Sequence, residues 1–219
     1  MLEKFARRFS QSEFGLPNSW EDKMEFYLNG ERLDITLEGE KTVGEVLRSF
    51  EKTAQENNCA TIAIKIDGKK IEAEDFDKAA AQELRGDTRI ELTAVSQDSV
   101  AQAFKKSSEE ISKTVELLLE LPALLQSGSN SKAKNSITQL ADVVDNFCHV
   151  TTLSSLFPEK FGKINVDGKS LSEFFADFTP IFNDLNGAME SGDTVLLGDL
   201  AEYEISPRLK ALAEAVKDL

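Results

Sequence analysis

The sequence predicts an α+β protein, a strand-rich segment followed by an antiparallel four-helix bundle whose last helix is kinked. Three observations carry that expectation. Between Met24 and Ser96 the apolar residues alternate with polar ones in short runs, the period of a half-buried strand. After Gln97 the period changes to that of an amphipathic helix. Pro207 then stands inside the final helical stretch, where it has no N–H to give the carbonyl of Tyr203. The boundaries that follow are an extension at 1–23, a strand-rich domain at 24–96 and a helical domain at 97–219. Both domains are acidic, so period separates them and charge does not.

The extension is charge-balanced, and Gly15, Pro17, Asn18 and Ser19 give it the composition of a flexible arm. Arg7-Arg8 invites comparison with an export signal, but no apolar run follows the pair, which argues against one. Phe14 and Trp20 lie outside both expected cores, where they serve as candidate partner anchors or fold back onto the sheet.

In the strand-rich domain, MEFYL leads into Asn29-Gly30, a strong hairpin signal, and RLDITLE continues as the returning strand. TVGEVLRSFEKTAQENN places Val43, Val46, Leu47 and Phe50 on one helical face, with Thr42 and Glu45 spaced as a capping box. TIAIKI, Asp67-Gly68 and KKIEAE read as a second hairpin. A short helical turn at DFDKAAAQEL and a final strand at TRIELTAV complete the order. On MEFYLNGERLDITLEGEKTVGEVL and IKIDGKKIEAEDF, this segment resembles the β-grasp, or ubiquitin-like, fold. The resemblance implies a hairpin, one crossing helix, and a last strand beside the first. It also implies a binding scaffold rather than a conjugated modifier, because AVSQDS runs on into a helix where a modifier ends in a free Gly-Gly carboxylate.

The helical domain is expected to open with one helix over 98–126, ended or bent by Pro122. A second over 131–157 carries Ile137, Leu140, Val144, Phe147 and Thr151 on one face and stops at Pro158. INVDGKSL reads as a small hairpin around Asp167-Gly168. Ser170 and Glu173 cap a third helix whose face runs from Leu171 through Phe174, Phe178 and Phe182 to Met189, broken by Gly187, Ser191 and Gly192. In the fourth, Asp193 is the N-cap and Val195, Leu196, Leu200 and Tyr203 form an apolar stripe that Leu209, Leu212 and Val216 continue past the proline. The stretch from Asp193 to Leu209 resembles the helical ends of uncharacterised bacterial proteins.

The net charge of -14 repels phosphate backbones and anionic membranes, which argues against nucleic acid or membrane as a general partner. No run is long and apolar enough to cross a bilayer. Two cysteines, Cys59 and Cys148, make no disulfide framework and suit a cytoplasmic protein, with both thiols expected as buried small hydrophobes. GKINVDGKS has five residues where a phosphate-binding loop has four, so it reads as a turn before a capped helix. The single histidine, His149, has no nucleophile pattern around it, and two Glu-x-x-His metal motifs are out of reach.

The expectation is therefore a non-catalytic protein-protein interaction module, an adaptor or chaperone-like accessory protein without cofactor or metal. It would bind through the β-grasp sheet edge or a groove in the bundle, with Trp20, Phe14, Tyr203 and Pro207 as candidate contact residues and a homodimer left open. The alternative is a metal-dependent enzyme using the helix carboxylates Asp142, Asp145, Asp199 and Glu202.

Overall fold

A computed structural model describes residues 24–35, 37 and 39–219. The chain is α+β and mostly helical, with a mixed five-stranded sheet, and it divides into two compact units between Gln97 and Asp98. Phe14 and Trp20 lie outside the described residues.

The first unit opens with the hairpin of β1 (Glu25–Leu28) and β2 (Glu31–Leu33). Helix α1 (Val43–Glu56) follows, then the hairpin of β3 (Cys59–Ile66) and β4 (Lys69–Lys70). A 3-10 turn at Ala73–Asp75, the short α2 (Phe76–Ala80) and β5 (Arg89–Ser96) complete it. Both turns have positive φ at their two central residues, 52° and 84° at Asn29-Gly30 and 52° and 77° at Asp67-Gly68. That geometry matches the twist of the flanking strands and is open to few residues other than Asn, Asp and Gly. Asn29 also reaches β5, its amide exchanging bonds of 3.1 and 2.9 Å with the Ala94 carbonyl and N–H.

The sheet order is β2-β1-β5-β3-β4, with β1 and β5 parallel and the other pairs antiparallel. Phe26, Leu28, Ile90 and Leu92 form one core with Val46 and Phe50 of α1, and the rings of Phe26 and Phe50 meet at 5.6 Å. Alternate residues carry a solvated network, in which the Arg89 guanidinium lies 4.3 Å over the Tyr27 ring and pairs with Glu25 and Glu91. One expectation needs correction. The returning strand of the first hairpin ends at Leu33, because Leu33 already pairs with Phe26 and β1 begins one residue earlier, leaving no ladder for Ile35 and Leu37. Both still pack, half-buried, against the core. Gly44, unremarked in the sequence, allows α1 to start against α2: a Cβ there would stand 2.9 Å from the Cβ and carbonyl oxygen of Ala80.

The second unit contains α3 (Gln97–Leu119), α4 (Leu121–Gln126), α5 (Asn130–Ser154) and α6 (Pro158–Phe161). The hairpin β6 (Asn165–Val166) and β7 (Lys169–Ser170), α7 (Leu171–Ser191) and α8 (Thr194–Asp199) follow. A π-helical turn over Leu200–Ile205 joins α8 to α9 (Ser206–Val216). The helix expected over 98–126 divides at Glu120, because Pro122 cannot bond the Leu118 carbonyl and instead takes the first turn of α4, where its missing N–H costs little. Pro158 likewise ends α5 at Ser154 rather than 157 and opens α6. Gly187 does not break α7. One glycine costs a helix only about 1 kcal/mol, and the stop comes at Gly192, whose φ of 70° turns the chain so that the Asp193 N–H closes on the Ala188 carbonyl.

Buried positions on α3 fall at Val100, Ala101, Phe104, Ser107, Ser108, Ile111, Thr114, Val115 and Leu118, a wide inward face whose spine from Val100 to Leu118 steps alternately by four and three. On α5 they fall at Ala133, Ser136, Leu140, Val143, Phe147 and Val150. The expected face of α5 was right at Leu140 and Phe147 but turns toward Val143 and Val150, away from the half-buried Val144 and Thr151. Cys148 consequently lies off the seam and is exposed, whereas Cys59 is buried in β3. Phenylalanines run through this core in contact, from Phe161 to Phe104, Phe147, Phe175, Phe174 and Phe178, with ring centroids 5.5 to 5.9 Å apart. On α7, Ala188 takes the inward place expected of Met189, which is exposed.

Candidate partner-binding groove

Two apolar side chains beside each other at one edge of the sheet mark the site. Ile62 is 44% exposed and Phe76 40%, although both are large hydrophobes. They flank a groove of about 600 Å³ in the first unit, whose floor includes Leu47, Phe50, Ile64 and Leu92.

The groove exists because β3 outruns its neighbour. On one side β3 pairs with β5 along its length, but on the other β4 pairs only with Lys65 and Ile66, with one further bond from the Ile71 N–H to the Ile64 carbonyl at 2.9 Å. Chain direction then changes into the 3-10 turn, so no strand lies beside Ala60–Ala63 on that side among the described residues. A bulge sits in this open stretch, where Thr61 pairs with Ala94, Ala63 pairs with Thr93, and Ile62 is the extra residue. Strict alternation from Ile66 and Ile64 would send Thr61 and Cys59 to the solvated face. The extra residue reverses that parity. Cys59 joins the core, the Thr61 hydroxyl donates to Glu51 of α1 at 3.0 Å, and Ile62 is displaced into the groove mouth.

Of the charges lining the groove, two are engaged. Glu51 holds Thr61, and Glu72 pairs with Lys70 at 2.9 Å. Arg48, exposed on the α1 wall, has neither ion pair nor hydrogen bond within contact distance among the described residues, although its charge acts on Glu45 one turn earlier.

Of the residues singled out in the sequence, those that are described lie in the second unit. Tyr203 is 64% exposed on the π turn, so its hydroxyl needs no buried partner, and the neighbouring Glu202 carboxylate holds its phenol above the usual range through a hydrogen bond and its charge. Pro207 lines a cleft of about 310 Å³ with Val166, Lys169, Phe174 and Arg208, a place where Lys169 pairs with Asp177 and Arg208 with Glu204. Asp142, Asp145 and Asp199 are exposed and Glu202 half-buried. Among the described residues no three His, Cys, Asp or Glu side chains converge as metal ligands. Partial burial, and then the charge of Asp145, push the Cys148 thiol up, away from the reactive thiolate. No helix among the described residues is long and apolar enough to cross a membrane.

Sequence reasoning missed Ile62, Phe76 and Arg48. One signal was present: Ile62, Ala63 and Ile64 are three apolar residues in succession, which breaks the alternation of the strand where the bulge falls.

Fold and groove together define a two-unit α+β chain with an open sheet edge in one unit and a helical core in the other. Residues 24–96 match the TP0873 N-terminal domain. Residues 102–215, more than half of the chain, match the domain of unknown function DUF8042, and the chain belongs to that family. An uncharacterized protein of Treponema pallidum (strain Nichols) is 28% identical over 193 residues, which cover 88% of this chain and 96% of the relative. No solved structure matches significantly.

Proposed function

We propose that this protein is a non-catalytic interaction module, a cytoplasmic adaptor or chaperone-like accessory protein that binds an extended segment of another protein along the open edge of β3. The observation that carries the reading is the coincidence of unpaired strand and apolar groove at Ala60–Ala63. A partner strand there gains main-chain hydrogen bonds from the edge and seats alternate side chains between Ile62 and Phe76. The first unit is read as a β-grasp domain, supported by a parallel central pair made of its first and last strands and by α1 packed across them. The second is read as a four-helix bundle of α3, α5, α7 and the α8–α9 helix, supported by the regular seams of α3 and α5 and by the ring contacts that join α3, α5 and α7. The net charge of -14 favours protein over nucleic acid or anionic membrane as the partner.

The test is an amide NMR titration of the full chain with a short synthetic peptide of alternating Val and Ile, flanked by Gly and Ser for solubility. Saturable shifts are expected at Ala60–Ile64 and along the α1 wall, and Ile62→Asp should weaken binding by about tenfold or more. Absence of saturation, or shifts confined to the second unit, would sink the reading.

A further inference from the structure

We infer that the groove selects an extended segment carrying an acidic side chain beside its apolar pair, and that Arg48 is the residue that reads it; this rests on the strand-addition reading above. An apolar floor and an open backbone edge accept many sequences, since main-chain bonds are indifferent to side chains and Leu47, Phe50 and Ile64 reward any apolar group of suitable size. Discrimination must come from the polar groups at the rim, and these are unequal. The Glu51 carboxylate already accepts from the Thr61 hydroxyl at 3.0 Å and from the Gln55 amide at 3.5 Å, fastening α1 to β3. Glu72 is neutralised by Lys70 at 2.9 Å. Arg48 stands one helical turn from Glu51, lines the same groove, and is not engaged by either carboxylate.

Glu51 keeps its negative charge but both its oxygens already accept, and the Arg48 charge also acts on Glu45, so the rim group whose hydrogen-bonding capacity is unfilled is the Arg48 guanidinium. Its planar fork presents parallel N–H donors that match a carboxylate bidentately, a stronger and more directional contact than a neutral hydrogen bond. A basic side chain at the same place meets Arg48 as a like charge, while the Glu51 oxygens already accept from Thr61 and Gln55 and the Glu72 charge is paired with Lys70. The chain's net charge of -14 opposes an acidic segment at long range, but at 0.1 M salt that field is screened beyond about 10 Å. What remains at contact is local, and there the unfilled N–H donors of the rim are those of Arg48.

The experiment compares two synthetic peptides on the full chain at 0.1 M salt by fluorescence anisotropy. Both share a Val-Ile-Val-Ile centre; one is followed by Asp-Glu and the other by Lys-Lys. The acidic peptide is expected to bind about tenfold tighter, the size of one charge-assisted contact. Arg48→Ala should bring the two within about twofold, and Arg48→Glu should reverse their order. Arg48 is exposed, so thermal melts of both variants should overlay the parent and separate a binding effect from a folding one. Equal affinities in the parent chain, or a preference that survives Arg48→Ala, would overturn the role of Arg48 while leaving strand addition standing. Failure of both peptides to bind would overturn the strand-addition reading itself, and this inference with it.

Discussion

Glu45 and Glu173 hold the same position in two capping boxes, one in each unit, and both can be read from the sequence as a hydroxyl residue followed three places later by glutamate. Glu45 accepts from the backbone N–H groups of Lys41 and Thr42, and Glu173 from the hydroxyl and then the N–H of Ser170. These bonds favour the ionised form and lower both pKa values. A lowered folded pKa means that the unfolded chain binds more protons across the window between the two values. The stabilisation is therefore whole above the ordinary glutamate value of about 4.3 and disappears as pH falls through the lowered folded values. Side-chain carboxyl NMR should show these two glutamates titrating below the ordinary glutamate value of about 4.3, and Glu45→Ala should flatten the acid limb of the stability curve. Midpoints in the ordinary range would contradict this account. The groove residues were harder to read at this scale. Whether Arg48 lacks a partner depends on where Glu51 and Glu72 are held, and Thr61 and Lys70 decide that through contacts no local pattern encodes.

The element whose reading changed most is the last helix. The sequence marks a fault near Pro207, but its form is a π turn rather than a simple bend. The cause lies in the stripe. Leu197 before the turn and Leu200 and Ala201 at its start are buried, as are Ile205 at its end and Leu209, Leu212 and Val216 after it. At about 100° per residue, the two groups in an unbroken α-helix would face directions roughly 100° apart. One extra residue in a wide turn removes that offset, so both groups meet the same core. The expected stripe of Val195, Leu196, Leu200 and Tyr203 followed the wrong phase, and Val195, at 72% exposure, and Tyr203 turn outward. The carbonyls loosened by the turn and by Pro207 find donors nearby: the buried Ser206 hydroxyl reaches Ala201 at 2.7 Å, and Arg208 reaches Glu204 at 2.8 Å. Deleting Tyr203 should therefore convert the turn to α-helix while keeping both apolar groups inward, and should shift Tm by only a few degrees. Deleting the exposed Lys210 leaves the π turn and rotates Leu212 and Val216 out of phase, with an expected loss of about 3 kcal/mol or more from two buried apolar side chains. Equal destabilisation by the two deletions would refute this role for the turn.

At the scale of the whole molecule, the change of hydrophobic period near Gln97 coincides with the division of the chain into two units, and the two family matches fall on either side of it. This boundary was legible because the period of a stripe reports the geometry of the element that buries it, whatever the element packs against. Sheet order and the length of each strand were less legible, since they depend on pairing between residues distant in sequence: β4 stops at Lys70 and so opens the edge of β3, although KKIEAE reads as a longer strand. Each unit has its own buried aromatic cluster, around Phe26 and Phe50 in one and Phe104, Phe147 and Phe178 in the other. A chain whose cores are separate in sequence should survive a cut at the boundary. Fragments 1–97 and 98–219, expressed separately, should each melt cooperatively, and their summed far-ultraviolet dichroism should reproduce that of the intact chain. The first fragment alone should keep the preference for the acidic peptide, because every groove residue lies within it. A fragment that melts without a cooperative transition would show that its core is incomplete without the other unit, and loss of peptide binding from a well-folded first fragment would place the binding determinant beyond Gln97.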